Sequence, residues 1–195
     1  MIRPLSTHQS ADSSAFTLVS GPARSGKSEW AEHLATISER QVIYIATARE
    51  DASDAAWMQR IHAHQLRRPA HWTTVVASEQ LAEAIDQHAS NCSAPVCLLI
   101  DSLGTWVANL IDLDPPTWEA RAKQLKHSVL NCPAMVIVVA EEAGWGVIPP
   151  TEVGGRFRDR LGALIRQLGI HASASYLVTG GYALNLTQLG TPLAR

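Results

Sequence analysis

Hydrophobic and polar positions along the chain switch repeatedly between two spacings. Short runs of strand type occur at Phe16–Ser20, Gln41–Ala46, Trp72–Val76, Pro95–Asp101, Ala134–Ala140 and Ser175–Thr179, with a further one from Tyr182 to Leu186. The fourth and fifth are continuously apolar rather than alternating, which predicts central parallel strands covered on both faces. Helical spacing fills the intervals. Trp30, Leu34 and Ile37 form one stripe. Asp114-Pro115-Pro116 starts another helix sharply, since proline is tolerated in a first turn, and Trp118, Leu125 and Val129 make its buried stripe. A third helix carries Val153, Phe157, Leu161, Leu164 and Leu168 on one face. Its arginines, Arg156, Arg158, Arg160 and Arg166, lie elsewhere and read as a solvated face or as contacts to phosphate or a partner subunit. This alternation predicts an α/β fold with a doubly wound, mostly parallel sheet. Ligands in such folds bind beyond the carboxyl ends of the strands.

The first strand runs into Gly21-Pro22-Ala23-Arg24-Ser25-Gly26-Lys27-Ser28, which fits G-x-x-x-x-G-K-[ST]. Strand, glycine loop and helix is the context this phosphate-binding P-loop requires. Gly21 and Gly26 open backbone conformations closed to other residues. Loop N–H groups and the helix N-terminus then cradle phosphate. Lys27 brings charge to the terminal phosphates, and Ser28 offers a hydroxyl to Mg²⁺. The fold expected is therefore P-loop NTPase-like. Downstream, the apolar strand ending in Asp101 has the form of a Walker B element, whose carboxylate holds Mg²⁺ directly or through water. The plainer reading of Asp101 is a turn or helix-cap residue before Ser102.

The remaining composition narrows the class. With 195 residues the chain suffices for one α/β domain, read as residues 16–195, behind a loose, Ser-rich tail over residues 1–15. A net charge of −2 gives no general pull toward nucleic acid or anionic membrane. No apolar run approaches spanning length, so no stable membrane insertion is expected. Cys92, Cys97 and Cys132 have no metal-ligand spacing and leave one unpaired, the usage of a reduced, cytoplasmic protein.

Between the second and third strands lie three histidines, His62, His64 and His71, among Arg60, Arg67 and Arg68. His62 and His64 are two apart, so on a helix they point to nearly opposite sides and chelate poorly. A histidine beside arginines has another use. Its imidazole can attack an α-phosphorus while guanidinium groups stabilise charge on the phosphoryl oxygens. Ordinary surface histidines are the alternative.

The P-loop, Tyr44-Ile45-Ala46-Thr47-Ala48, Arg60-Ile61 with His64, Arg67, Arg68 and Trp72, and Asp101-Ser102-Leu103 with Trp106 and Asn109-Leu110 occur in a distinctive order. They are followed by the run from Glu142 to Pro149 and by Arg156-Phe157-Arg158-Asp159. The set, from about residue 16 to 186, resembles the bifunctional adenosylcobinamide kinase/adenosylcobinamide-phosphate guanylyltransferase family. The resemblance implies two steps in assembling the cobalamin nucleotide loop. Adenosylcobinamide is phosphorylated with ATP or GTP. GMP from GTP then passes through a histidine-bound intermediate to adenosylcobinamide phosphate, giving adenosylcobinamide-GDP. It implies His64 as the nucleophile, and it sets Ala46, Thr47, Ala48 and Gln65, Leu66, Arg67, Arg68 against the guanine nucleotide. It also implies a homotrimer. Trp57, Trp106 and Trp145 are candidates for a corrinoid-facing groove, with Trp30 and Trp118 assigned to packing.

Two departures bear on selectivity. The family usually has Glu four residues after the Trp equivalent to Trp72, where this chain has Val76, with Glu79 the nearest carboxylate in sequence. Where the family often shows Asn-Glu-Val-Gly, this chain has Glu141-Glu142-Ala143-Gly144. A single-function P-loop kinase of small molecules, and a nucleotide-binding switch protein without transferase chemistry, are the alternative functions.

Overall fold

The computed structural model describes residues 15–90, 94–147 and 149–193. Cys92, Ile148 and all of the expected tail except Ala15 lie outside the described residues. Ala15 accepts a backbone hydrogen bond from Val136, so this residue of the expected tail belongs to the sheet's hydrogen-bond contacts.

The elements follow as β1 (Phe16–Gly21), α1 (Lys27–Ile37), β2 (Gln41–Ala46), α2 (Ala55–Arg67), β3 (Thr73–Val76), α3 (Leu81–Ser90) and β4 (Val96–Asp101). Then come α4 (Leu103–Asn109), α5 (Pro115–Leu130), β5 (Met135–Glu141), α6 (Glu152–Gly169), β6 (Ala174–Thr179), β7 (Tyr182–Asn185) and α7 (Leu186–Leu189). The strands form one sheet in the order β3-β2-β4-β5-β1-β6-β7. Pairings are parallel except β6 with β7, a hairpin whose turn, Gly180-Gly181, has φ of 58° and 81°. Positive φ at both turn positions suits the twist of a two-residue hairpin and favours glycine there.

The continuous apolar runs follow from burial on both faces. Along β4, Val96, Leu98 and Ile100 enter the larger core, with α3 to α6, while Cys97 and Leu99 enter the smaller one under α1. In α1, Ala31 and Ala35 are the wholly buried apolar contacts, and such small side chains let the helix lie close to the sheet. Trp30 packs edge-on against Tyr176 at 5.5 Å.

Three expectations are corrected. Trp106 is 1% exposed and packs on Trp118 in the larger core, so it cannot line a corrinoid groove. Val153 is half exposed, and the buried face of α6 rests on Leu161, Leu164 and Leu168. Arg160 is neither solvated nor free for phosphate. It is buried over the Trp118 ring and donates to the carbonyls of Leu110, Ile111 and Leu113 at 3.1, 2.9 and 2.6 Å. Those carbonyls sit where the chain leaves α4, a place where helix-end acceptors need partners; the Leu110 carbonyl also takes the Leu113 N–H at 3.2 Å, and that of Ile111 also takes Arg156 Nη1 at 3.3 Å.

Candidate functional site

The glycine loop joins β1 to α1 at the carboxyl edge of the sheet. A Cβ on Gly21 would stand 2.4 Å from the Val178 carbonyl oxygen, and Gly26 has φ of 91°, so neither position accepts another residue freely. Lys27 is buried, and its Nζ lies 3.5 Å from the Pro22 carbonyl, the long limit of a hydrogen bond. A buried ammonium so poorly paired favours an anion. Ser25 Oγ is also buried and has no hydrogen-bond partner among the described residues.

The histidine segment forms α2, capped by Asp54, whose side chain accepts from Trp57 N. No residue of α2 is buried. Polar contacts hold it to the sheet and to α1. Trp57 Nε1 donates to Arg49 O at 2.8 Å, and the Arg68 guanidinium lies 3.6 Å over the Tyr44 ring. Arg67 reaches Glu29 at 3.5 Å and Glu32 at 3.2 Å. His64 faces inward, with Nδ1 3.7 Å from Asp101 Oδ2 and 3.3 Å from Arg67 Nη2. Tyr44 donates its hydroxyl to the same Asp101 oxygen at 2.7 Å. Burial lowers the His64 pKa, and Arg67, Arg60 and Arg68 push the same way against the opposing pull of Asp101. The imidazole is thereby biased toward its neutral form, the form a nucleophile needs. Burial and the adjacent carboxylate raise the Tyr44 pKa, keeping that hydroxyl a donor.

Two cavities meet here. The larger, about 1140 Å³, is lined among others by Ala23, Ala46, Ala48, Gln65, Arg68 and Asp101. The second, about 740 Å³ between the P-loop and α2, includes Arg24, Ser25, Gly26 and Arg67. Lys27, Ser28, Asp54, Trp57, Arg60 and His64 line both. Four expected nucleotide residues line neither. Gly21 and Pro22 build the loop from behind. Leu66 is 72% exposed. Thr47 is fully buried, its hydroxyl donating to Ser102 O at 2.8 Å and accepting from Ser102 N at 2.9 Å. Its side chain is therefore a clasp between the ends of β2 and β4. Of the tryptophans assigned to a groove, Trp57 lines both cavities, and Trp145 is exposed and lines neither. His62 and His71 are exposed and likewise lie outside both cavities.

The two departures have different surroundings. Val76 is 69% exposed at the end of β3 and lines the larger cavity with an isopropyl group. Glu79 pairs with Arg49 and does not line it, so it does not replace the missing carboxylate. Glu141 accepts from Ser102 Oγ at 2.6 Å and Gly104 N at 2.8 Å, fastening the start of α4 to the end of β5.

Oxygen donors for a divalent cation are at hand in Ser28 and Asp101, both lining the larger cavity. A hydroxyl and a carboxylate suit Mg²⁺, a hard ion that retains several waters. The ligating atoms of Glu32, His64 and Asp101 also lie within 4.8 Å of one another. Here the positive charges of Arg60, Arg67 and Arg68 act on His64, and Arg67 engages Glu32, so this trio is a charge-compensated network rather than a metal cage. Glu32 carries no motif signal, and Tyr44 stands in the matched Tyr44–Ala48 segment without a role of its own. Tyr44 gave a signal, a hydroxyl inside an otherwise aliphatic strand that must find a partner when buried.

Known proteins resemble this chain in sequence and in fold. A family profile described as cobinamide kinase / cobinamide phosphate guanyltransferase matches residues 17–186. The chain is 37% identical over 180 residues to a Pseudomonas aeruginosa protein named bifunctional adenosylcobalamin biosynthesis protein CobP, covering 90% of this chain and 98% of that one. It is 35% identical over 183 residues to the Escherichia coli protein named bifunctional adenosylcobalamin biosynthesis protein CobU, covering 87% and 98%. Among solved structures, an ATPase of a type III secretion system aligns with a TM-score of 0.55 at 11% identity, over 92% of this chain and 59% of its own. A Pyrococcus horikoshii OT3 protein aligns at 0.57 and 8% identity, over 94% and 95%. These two bear on the fold alone, and the ATPase agrees with a P-loop NTPase-like α/β architecture.

Proposed function

The chain belongs to the cobinamide kinase / cobinamide phosphate guanyltransferase family, and from that premise we propose how its own residues carry the two steps of nucleotide loop assembly in cobalamin biosynthesis. The observation that carries the reading is His64, which lines both cavities together with the P-loop residues Lys27 and Ser28. A nucleophile and a triphosphate cradle thus share one site.

In the first step a hydroxyl oxygen of adenosylcobinamide attacks the γ-phosphorus of ATP or GTP, and the nucleoside diphosphate leaves. Lys27 and the loop N–H groups hold the phosphates. In the second, the free imidazole nitrogen of His64 attacks the α-phosphorus of GTP. A P–N bond forms, the bond to the bridging oxygen breaks, and pyrophosphate leaves. A phosphate oxygen of adenosylcobinamide phosphate then displaces the imidazole, giving adenosylcobinamide-GDP. Splitting one displacement into two is the advantage of covalent catalysis. In the tautomer that keeps its proton on Nδ1, the nitrogen 3.7 Å from Asp101 Oδ2, the Nε2 lone pair is free for attack, and Arg67 Nη2 at 3.3 Å is then a close neighbour of Nδ1 rather than its hydrogen-bond partner. Arg60, Arg67 and Arg68 supply positive charge where the α-phosphoryl oxygens gain negative charge. Mg²⁺, held by Ser28 and Asp101, would neutralise charge on the phosphates.

In the same reading, Ala46, Ala48, Gln65 and Arg68 contact the nucleotide from the larger cavity, and Arg24, Ser25, Gly26 and Arg67 from the second. The enzyme works in the cytoplasm as a homotrimer. No helix among the described residues is long and apolar enough to cross a membrane.

The test compares GTP labelled at the α-phosphate with GTP labelled at the γ-phosphate. The proposal expects an acid-labile, base-stable protein label from the α-position, and γ-label transferred to adenosylcobinamide. A γ-transfer with no α-adduct would leave a single-function kinase.

A further inference from the structure

The helix that carries His64 has no buried side chain, yet guanylyl transfer demands that its imidazole meet an α-phosphorus within a few tenths of an ångström. Apolar packing does not set that position, so polar links must. One of them joins α2 to α1. Glu32 takes both the Nε and Nη2 of Arg67, at 3.4 and 3.2 Å, in a forked pair. Its side chain is 14% exposed, whereas Glu29, the other acidic partner of Arg67, is 63% exposed. Forked arginine–carboxylate bonds fix direction as well as distance.

The geometry of the two helices gives this pair its meaning. Lys27, the phosphate lysine, opens α1, and Glu32 lies little more than one turn later. On α2, His64 and Arg67 are three residues apart, neighbours on one helix face, and Arg67 Nη2 lies 3.3 Å from His64 Nδ1. The chain of contacts therefore runs from phosphate lysine through α1 to Glu32, across to Arg67, and onto the nucleophile.

We propose that Glu32 is a positioning residue for guanylyl transfer: by holding Arg67 it sets the distance and angle between His64 and the P-loop. The inference rests on the reading of His64 as the nucleophile. Glu32 touches no reacting atom. Its side-chain hydrogen bonds go to Arg67, and that makes the role testable.

The experiment measures the single-turnover rate of GMP-enzyme formation by rapid quench, with Mg²⁺ and saturating α-labelled GTP. The proteins are wild type, Glu32→Gln, Arg67→Gln and the double variant. Glu32→Gln conserves shape and loses the charge that makes the fork. It should slow adduct formation by about 10- to 100-fold, the effect of a sub-ångström misplacement, with GTP affinity within about threefold of wild type. In the Arg67→Gln background, where Glu32 has nothing to hold, adding Glu32→Gln should change the rate by less than about twofold. A role in general folding would instead lower the melting temperature and slow both backgrounds alike. Equal rates for wild type and Glu32→Gln, or additive losses in the double variant, would overturn the proposal. If wild type itself forms no adduct, the guanylyltransferase reading falls, and this proposal falls with it.

Discussion

Replacing Thr47 by Val tests whether the Ala46–Ala48 segment meets the nucleotide through this side chain or merely holds the cleft together. The substitution nearly conserves volume and removes one hydroxyl, which is fully buried and used twice. Its loss strands the N–H of Ser102, itself 3% exposed, while the Ser102 carbonyl keeps the Trp106 N–H at 3.2 Å. One unsatisfied buried donor costs about 1–3 kcal/mol, so the expected loss is about 2 kcal/mol. For a chain of this size that corresponds to a fall of about 4–8 °C in melting temperature. The assay is urea unfolding, in which the midpoint should fall at unchanged slope. Thr47→Ser keeps the hydroxyl and should lose only about 1 kcal/mol for the missing methyl. A Thr47→Val protein as stable as wild type but unable to bind GTP would refute the clasp and return Thr47 to the nucleotide.

Three further outcomes follow. Because burial and three arginines lower the His64 pKa, its neutral form persists to lower pH than usual, so GMP-enzyme formation should hold steady near neutrality and fall only below the ordinary histidine range; a midpoint above about 6.5 would contradict this. Val76→Glu restores a carboxylate to a cavity-lining position and should improve the GTP-over-ATP binding ratio by about tenfold, the worth of one hydrogen bond to a charged group; an unchanged ratio by calorimetry would exclude the position from guanine recognition. Gly21→Ala would drive a methyl to 2.4 Å from the Val178 carbonyl and should weaken binding of a non-hydrolysable nucleoside triphosphate by at least about tenfold, whereas retained affinity would show that β1 and β6 can separate there.

The parts of this molecule governed by period and by local backbone chemistry were legible in the sequence. The double-sided apolar runs of β4 and β5 and the Gly21–Ser28 loop are local patterns, and the strand bounds they predict differ from the observed ones by a residue or so. Motifs single out Lys27 and Asp101 and the family resemblance singles out His64, and the fold gathers the three around the same cavity. What escaped depends on long-range partners. Arg160 looks like any helix-surface arginine until α4 ends against it. Trp106 looks like a ligand platform until it meets Trp118. Thr47 sits among cavity residues yet turns to Ser102, 55 residues away. Glu32 acquires its partner only when α2 folds back over α1. Periodicity reports which side of an element is buried, not what a polar atom on that element will find.

The most direct test of the central claim is intact-mass measurement of the protein after incubation with Mg²⁺ and GTP, followed by peptide mapping under base-stable, non-acidic conditions. The account predicts one added GMP per chain, attached at His64 through Nε2 and absent from His64→Ala, while that variant still phosphorylates adenosylcobinamide. GMP on another residue, or an undiminished adduct in His64→Ala, would contradict it.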